Sequence, residues 1–243
     1  MPATAPSFRP LYLQIKSLLE ASLAAGEWRP AEAIPSEQEL AARYGVSQGT
    51  VRKAVDALAA DNLVVRRQGK GTFVASHTEE QASLLRFRSI RRNDGQEIEP
   101  AIRLLDLRRG KAGAEAARLL DLKIGDPVVV LRRVLSYDGV PTVLDEITLP
   151  AALFRGLTRA RIEAYRGSVY SLFETQFGVR VLKAEERLRA IGADGACAAL
   201  LAVAPGAPLL AVDRVTLTWG EKPVEWRRSL CTTVQHHYRN ELG

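Results

Sequence analysis

Apolar residues recur at helical spacing at the start of the chain, and this pattern predicts a first helix over residues 10–25. Pro10 suits its opening turn, where a backbone N–H would find no partner inside the helix, and Gly26 suits the stop after its last turn. The apolar positions of this helix are Leu11, Ile15, Leu18, Leu19 and Leu23.

Two shorter helical patterns follow, and the dipeptide Gly45-Val46 separates them. Ser36 and Glu39 have the spacing of a capping box, which satisfies free amides at a helix start, so a helix is expected from there to about residue 44. Ser47 is a suitable N-cap for the next helix, and Asn62 is a suitable stop. The residues of that helix predicted to face inward are Val51, Ala54, Val55 and Leu58.

A strand, a tight turn and a second strand are predicted over residues 63–75, with the sequence QGKG at the tip. Residues 1–75 are therefore expected to form a first domain containing helix, helix, turn, helix and hairpin. The polar and charged stretch over residues 76–90 is expected to be a linker, and residues 91–243 a second domain.

The second domain contains an internal repeat, because residues 114–134 align with residues 195–215 at a constant offset of 81 without a gap. A strand-like stretch precedes each copy, and a turn and another strand follow it, with the turns at Asp138-Gly139 and Gly220-Glu221. Two β-α-β-β units are therefore predicted, which make an α+β domain with a six-stranded, mostly antiparallel sheet and helices on one side. An extra helix is expected between the halves, at residues 167–178. The matched positions include Gly125 with Gly206, Pro127 with Pro208, and Arg133 with Arg214.

Composition narrows the class of protein. A net charge of +6 and a pI near 9.5 favour a polyanionic partner, although solubility alone also accounts for them. Cys197 and Cys231 lie in apolar contexts without a metal or redox motif, so two reduced thiols are expected. His77 and the pair His236-His237 have no further ligands at metal-binding spacing, so neither a metal nor another cofactor is predicted. No signal peptide or membrane span is recognised, and a soluble, cytoplasmic protein is expected.

The helix that begins after Ser47 has the properties required in a DNA major groove. Its inward face is apolar, and its first turn carries slim residues with hydrogen-bonding groups, Gln48, Gly49 and Thr50. Arg52 and Lys53 follow on the outer side, where cations meet phosphates. The hairpin tip, with Gly69 and Lys70, then acts as a wing that suits a phosphate or the minor groove.

In residues 9–75 the sequence resembles the N-terminal domain of the GntR family of bacterial transcription regulators. The stretches that carry the resemblance are PLYLQIKSLLEASLAAGEW, IPSEQELAARYGVSQGTVRKAVDAL and RRQGKGTFV. Most of residues 85–240 resemble the UTRA effector-binding domain of the HutC subfamily, which has a chorismate-lyase-like fold. The cues there are the paired repeats, the DGVP turn, the GSVYSLFE helix and the KPVE strand.

The resemblance implies a set of DNA contacts, and two positions depart from the family pattern. Gln48 stands where many members have arginine, which implies a changed base preference, with adenine as the natural partner of glutamine. Ala31-Glu32 stands where a glycine is usual, and we interpret this as a loop variation. The implied contacts are Gln38, Ser47, Gln48, Gly49, Thr50 and Arg52, with Gly69 and Lys70 in the wing.

The resemblance also implies a small metabolite bound in the second domain. Ser168 lies at a predicted helix start, where free amides favour an anion, and Arg133 lies among apolar residues and needs a charged partner. That partner is either a ligand or Asp145 across the hairpin, and whether Arg132 or Arg133 faces the pocket is open. Leu135 stands where sugar-phosphate sensors tend to have a second arginine, so a carboxylate- or amine-containing ligand is favoured. The implied effector contacts are Ser89, Arg133, Asp145, Ser168, Tyr170 and Glu225.

The expected function is that of a transcription regulator, most often a repressor, which binds a near-palindromic operator as a homodimer under the control of a metabolite. One alternative is a chorismate-lyase-like enzyme fused to a DNA-binding domain. It is disfavoured because the sequence offers no nucleophile–base pair, phosphate loop or metal set, and we expect no enzyme. The other alternative is an architectural DNA-binding protein that has no effector. It is disfavoured because the compaction of DNA does not require the large duplicated second domain.

Overall fold

The computed structural model of the protein describes residues 9–76 and 89–239 and divides into two compact units, one on each side of the peptide bond after Ser76. Most of the predicted linker, residues 77–88, lies outside the described residues, as do His77 and residues 1–8 and 240–243. Within the described ranges, no helix is both long enough and apolar enough to cross a membrane.

The first unit has the predicted order of elements. Three helices precede a two-stranded antiparallel hairpin in which Val64 lies opposite Val74. The helices are α1 (Leu11–Ala24), α2 (Glu37–Tyr44) and α3 (Gln48–Ala60), and the strands are β1 (Val64–Arg67) and β2 (Gly71–Val74). Leu19, Leu40 and Leu58, one from each helix, are fully buried and form the centre of the core.

Local signals account for the ends of these helices. The Ser36 amide donates to Glu39 Oε2 at 2.8 Å, and Ser36 Oγ accepts from the Glu39 amide, so the predicted capping box is formed. Gly45 ends α2 in the left-handed region at φ +64°, a conformation that glycine adopts without strain. Asn62, just beyond α3, is also left-handed at φ +57°. These ends fix the short turn that brings the start of α3 to the surface.

The second unit is an antiparallel six-stranded sheet, and the two predicted β-α-β-β repeats are present in it. The first repeat contains β4 (Ala101–Lys111), α4 (Ala114–Leu119), β5 (Pro127–Tyr137) and β6 (Val140–Pro150). Between the repeats lie α5 (Arg159–Ala164) and α6 (Val169–Phe177), and the second repeat contains β7 (Lys183–Gly192), α7 (Gly195–Leu201), β8 (Pro208–Leu217) and β9 (Pro223–Thr232). The strand order is β4-β5-β6-β9-β8-β7, so the repeats meet where β6 pairs with β9.

Both predicted hairpin turns have positive φ at two successive residues, 48° and 78° at Asp138-Gly139 and 67° and 56° at Gly220-Glu221. This is the geometry of the turns that match the twist of a hairpin. Within the described residues, prediction missed α5 and two short strands, β3 (Ile90–Arg92) and β10 (His236–Tyr238), which pair antiparallel with each other. The turn at Gly220-Glu221 also contains a short 3-10 helix, Trp219–Glu221, that was not predicted.

The prediction that the helices lie on one side of the sheet is wrong. Val129 and Leu131 of β5 belong to a core with Leu172 and Phe173 of α6. Val128 and Val130 point to the opposite face and pack with Ala116 and Ala117 of α4, and α7 lies on that face too, near Val134. A strand with four consecutive buried apolar residues needs cover on both faces, which explains the arrangement.

Candidate functional site

The first turn of α3 lies at the surface of the first unit. Ser47 Oγ accepts from the Thr50 amide at 3.2 Å and lies 2.9 Å from Thr50 Oγ1, so both hydroxyls are held at the helix start. Gln48 and Gly49 are exposed, while Val51, two positions after Gly49, is fully buried. The buried face of α3 therefore orients the predicted base-reading residues outward.

The two kinds of glycine at this surface have different explanations. Gly69 has φ +70° in a turn closed by the Lys70 amide and the Arg67 carbonyl at 2.9 Å, so the backbone itself favours glycine there. Gly49 does not have a left-handed backbone, and a Cβ added to it would meet only Ser47 Oγ, at 3.9 Å, among the described residues. Glycine costs a helix about 1 kcal/mol relative to alanine, and no contact within the unit accounts for its presence.

The predicted cations and the outer polar residues are accessible. Gln38, Arg52, Lys53 and Lys70 are all exposed, and the Arg52 side chain retains 59% of its accessible surface. They occupy α2, α3 and the hairpin tip, which are the elements that the sequence assigned to DNA contact.

A carboxylate that the sequence did not single out lies among these residues. Glu37 Oε2 accepts from Arg52 Nε at 3.0 Å and from Gln48 Nε2 at 3.4 Å, and Glu37 Oε1 accepts from Arg66 Nη2 at 3.0 Å. Burial works to raise the pKa of Glu37, but the hydrogen bonds from Arg52 and Arg66 outweigh it and hold the pKa below its usual value. No periodicity marks Glu37, because its contacts depend on how α2 crosses α3.

In the second unit, four of the six predicted effector residues lie together on the face of the sheet covered by α6. Arg133 Nε donates to Asp145 Oδ2 at 2.8 Å, directly across the β5–β6 ladder. Further along the same face, the Tyr170 hydroxyl donates to Glu225 Oε1 at 3.3 Å. All four of these side chains are buried.

The choice between Arg132 and Arg133 is decided by the strand register. Arg133 is buried in this network, whereas Arg132 points to the other face, where it is 37% exposed and lies 3.5 Å from Glu146. The pairing of Arg133 with Asp145, one of the two alternatives left open above, is present. The Ser229 hydroxyl also donates to Asp145 at 2.6 Å, and Arg227 lies 3.7 Å away. Burial raises the pKa of Asp145, but the charges of Arg133 and Arg227 outweigh burial and lower it.

The other two predicted residues have different environments. Ser89 joins the network, since its Oγ accepts from Arg214 Nη2 at 3.1 Å and lies 3.3 Å from Glu186 Oε2. Ser168 is the N-cap of α6, where its Oγ accepts from the Ser171 amide at 3.1 Å. The helix start at Ser168 is therefore real, and its hydroxyl already has a partner.

Three charged residues of the network were missed. Arg227 Nε donates to Glu225 Oε1 at 2.8 Å, and Arg214 Nε donates to Glu186 Oε1 at 2.6 Å. Burial works against the charged forms of Arg214 and Arg227. Tyr170 and Glu186 nevertheless raise the pKa of Arg214, and Glu225 and Tyr170 raise that of Arg227. The internal repeat offered a signal for Arg214, because it matches Arg133 at the offset of 81 residues. Arg227 and Glu186 became recognisable only once the register of β7, β8 and β9 was known.

Two atoms of the network lack a hydrogen-bond partner among the described residues. They are Glu225 Oε2, on a side chain that is fully buried, and Arg227 Nη2. A buried polar atom without a partner costs about 1–3 kcal/mol, so such atoms usually mark a place for a water or a ligand. The unpaired acceptor and the unpaired donor belong to two side chains that the Arg227 Nε–Glu225 Oε1 bond joins into one ion pair.

In the described ranges no group of three or more His, Cys, Asp or Glu side chains has the arrangement of a metal site. Cys197 and Cys231 are buried free thiols, and burial raises the pKa of both. His236 is buried and His237 is exposed, as expected of neighbours on a strand.

Comparisons with known proteins match each of the two units to a described family. Residues 11–74 match the family described as bacterial regulatory proteins, gntR family, and residues 95–237 match the UTRA domain. The HTH-type transcriptional repressor NagR of Bacillus subtilis is 29% identical over 96% of this chain and 96% of its own. The histidine utilization repressor of Pseudomonas putida is 30% identical over 96% of this chain and 92% of its own.

A solved ligand-binding domain assigned to the GntR family, from Bordetella bronchiseptica, is 46% identical, with a TM-score of 0.62, over 65% of this chain and 98% of that one. These relatives are regulators and not enzymes, which confirms that prediction, and the repressors of histidine utilization confirm the HutC resemblance. The chain therefore belongs to the GntR family of bacterial transcription regulators, and it is a DNA-binding regulator that carries a UTRA domain.

Proposed function

We propose that this regulator is a cytoplasmic repressor that binds a near-palindromic operator as a homodimer and responds to a small polar metabolite. In this proposal residues 1–75 bind DNA, residues 76–90 connect the two domains, and residues 91–243 bind the effector. The start of α3 enters the major groove, and the hairpin tip lies along the backbone. The proposed DNA contacts are Gln38, Ser47, Gln48, Gly49, Thr50, Arg52, Lys53, Gly69 and Lys70.

Two features support the DNA-binding surface. Packing within the unit leaves room for a larger side chain at Gly49. A glycine at this position is explained if DNA approaches the helix backbone closely. The exposed cations on α3 and at the hairpin tip suit phosphates, and the net charge of +6 has the right sign for DNA. The relatives named as repressors support the direction of regulation.

For the effector, the observation that carries the proposal is the pair of unpartnered atoms, Glu225 Oε2 and Arg227 Nη2. A ligand that donates a hydrogen bond to Glu225 Oε2 and accepts one from Arg227 Nη2 would give both atoms a partner. A molecule with an amine or hydroxyl next to a carboxylate can do both. One relative is named for the utilization of histidine, a compound that carries both groups. The proposed contacts are Ser89, Arg133, Asp145, Ser168, Tyr170 and Glu225, joined by Arg214 and Arg227.

The test combines selection of a duplex from a random pool with thermal-shift screening against amino acids, carboxylates, amines and sugar phosphates. We expect one selected duplex family with two related half-sites, and stabilisation by compounds that carry an amine or a carboxylate. The Glu225→Gln variant should lose the ligand-induced shift and keep its affinity for the selected duplex. The matched control is Glu146→Gln, which changes a carboxylate on the opposite face of the sheet. Stabilisation by sugar phosphates alone would reject the proposed ligand class.

A further inference from the structure

We propose that Glu37 is a specificity-determining residue of the DNA-binding unit, which acts by restraining Gln48, Arg52 and Arg66 and by limiting the affinity for DNA of arbitrary sequence. This inference rests on the proposed role of α3 as the DNA-reading helix. Glu37 is the first residue of α2, and its side chain is only 16% exposed.

Both oxygens of the Glu37 carboxylate are used, and they join three elements. Oε2 accepts from Arg52 Nε and Gln48 Nε2 on α3, and Oε1 accepts from Arg66 Nη2 on β1. One anion is therefore shared between the helix that is proposed to read bases and the strand that leads to the hairpin tip.

A role in stability alone does not account for this arrangement. The side chains of Arg52 and Arg66 retain 59% and 43% of their accessible surface, and exposed ion pairs of this kind contribute little to folding. Their more important effect is on position and charge. A long side chain held by a carboxylate samples fewer conformations, and the anion offsets positive charge beside the proposed DNA-contacting turn.

Glu37 is expected to affect the discrimination between cognate and arbitrary DNA sequences more than the affinity for the cognate duplex. Affinity for DNA of arbitrary sequence depends on how many cations reach phosphates, and each further contact steepens the slope of log K against log salt by about 0.9. Arg52 and Arg66 are withheld from a chance phosphate while they bind Glu37, and Arg66 is also held by Asp56 Oδ1 at 2.7 Å. A cognate duplex, which engages Gln48 as well, compensates for the lost contacts with Glu37.

The experiment uses the full chain and two probes, the duplex that the native protein selects from a random pool and a scrambled duplex of equal length and composition. Affinities are measured by fluorescence anisotropy over a series of KCl concentrations. For Glu37→Gln we expect about five- to tenfold tighter binding to the scrambled duplex near 0.1 M salt and a slope steeper by about one. Because Gln48 and Arg52 lose their restraint, affinity for the selected duplex should not rise in parallel, and the ratio of the two affinities should fall about fivefold.

Glu20→Gln is the matched control, because it adds the same charge on α1, where Glu20 pairs with Lys16. It should change neither affinity more than twofold. Glu37→Asp keeps the anion and should keep the native salt slope, and Arg66→Gln in the Glu37→Gln background should return the slope toward the native value.

Equal weakening of both duplexes by Glu37→Gln with an unchanged slope would overturn the inference, since that is what a purely structural role predicts. A slope for Glu37→Asp as steep as that of Glu37→Gln would overturn it as well. A native protein that does not distinguish the two duplexes refutes the proposed function itself, and this outcome is visible before any variant is compared.

Discussion

The carboxylate of Asp145 is the group whose removal should most disturb the second unit. It is 2% exposed, accepts from Arg133 and Ser229, and lies 3.7 Å from Arg227. Asp145→Asn keeps the shape of the side chain and removes its charge, so two buried guanidinium groups lose a shared anion. Breaking a buried ion pair from one side costs about 3–5 kcal/mol.

For a unit of this size, each kcal/mol lowers the melting temperature by about 2–4 °C, so the expected drop is about 6–20 °C. The control is Glu146→Gln, on the next residue of the same strand but on the opposite face, where the Glu146 side chain is 49% exposed. Its pair with Arg132 should be worth about 1 kcal/mol or less. Calorimetry of the full chain measures both variants.

The same carboxylate predicts a pH dependence. Because the pKa of Asp145 is lowered in the folded unit, its stabilisation is present above the unfolded value of about 3.9 and is lost as the pH falls through the lower folded value. Asp145→Asn should therefore be less stable than the native chain at pH 7, and the difference should shrink under strongly acidic conditions. If Asp145→Asn costs no more than Glu146→Gln at pH 7, the network is not the buried, charge-paired structure described above.

Three further substitutions test the DNA-binding unit. Gly49→Ala should raise the stability of α3 by up to about 1 kcal/mol and weaken binding to the selected duplex; unchanged affinity, measured by anisotropy, would contradict a close approach of DNA. Gln48→Arg should shift one selected position in each half-site from adenine to guanine, and selection from a random pool reads this directly. Ala31 has φ +65°, so Ala31→Gly should relieve backbone strain and raise the free energy of unfolding. The gain should stay below about 1 kcal/mol, because glycine also has more conformational entropy in the unfolded chain. A lower free energy of unfolding in denaturant would contradict this prediction.

The backbone conformation of Ala31 explains the family pattern at Ala31-Glu32, from which this chain departs. The sequence alone gave no reason to treat Ala31-Glu32 as more than a loop variation. The left-handed φ of Ala31 explains why a glycine is usual there. Its amide donates to the Val74 carbonyl at 2.9 Å, so the hairpin holds the loop in this conformation despite the side chain.

The sequence by itself determined the features that depend on a few neighbouring residues. Ser36, Gly45 and Ser47 set both ends of α2 and the start of α3 through bonds that reach at most five residues along the chain. The turns at Asp138-Gly139 and Gly220-Glu221 follow from residues that tolerate positive φ. The internal repeat then predicted both β-α-β-β units, because two stretches with the same pattern of apolar, glycine and proline positions form similar local structure.

Only the tertiary structure decided which polar and charged side chains distant in sequence meet. Glu37 reaches Arg66, 29 residues away, because α2 crosses α3 beside β1, and Ser229 reaches Asp145, 84 residues away, because β6 pairs with β9. The placement of helices on both faces of the sheet was also decided only by the tertiary structure. Strand register and helix crossing are set by the burial of the whole core, and a shift of one residue in register moves every side chain of a strand to the other face.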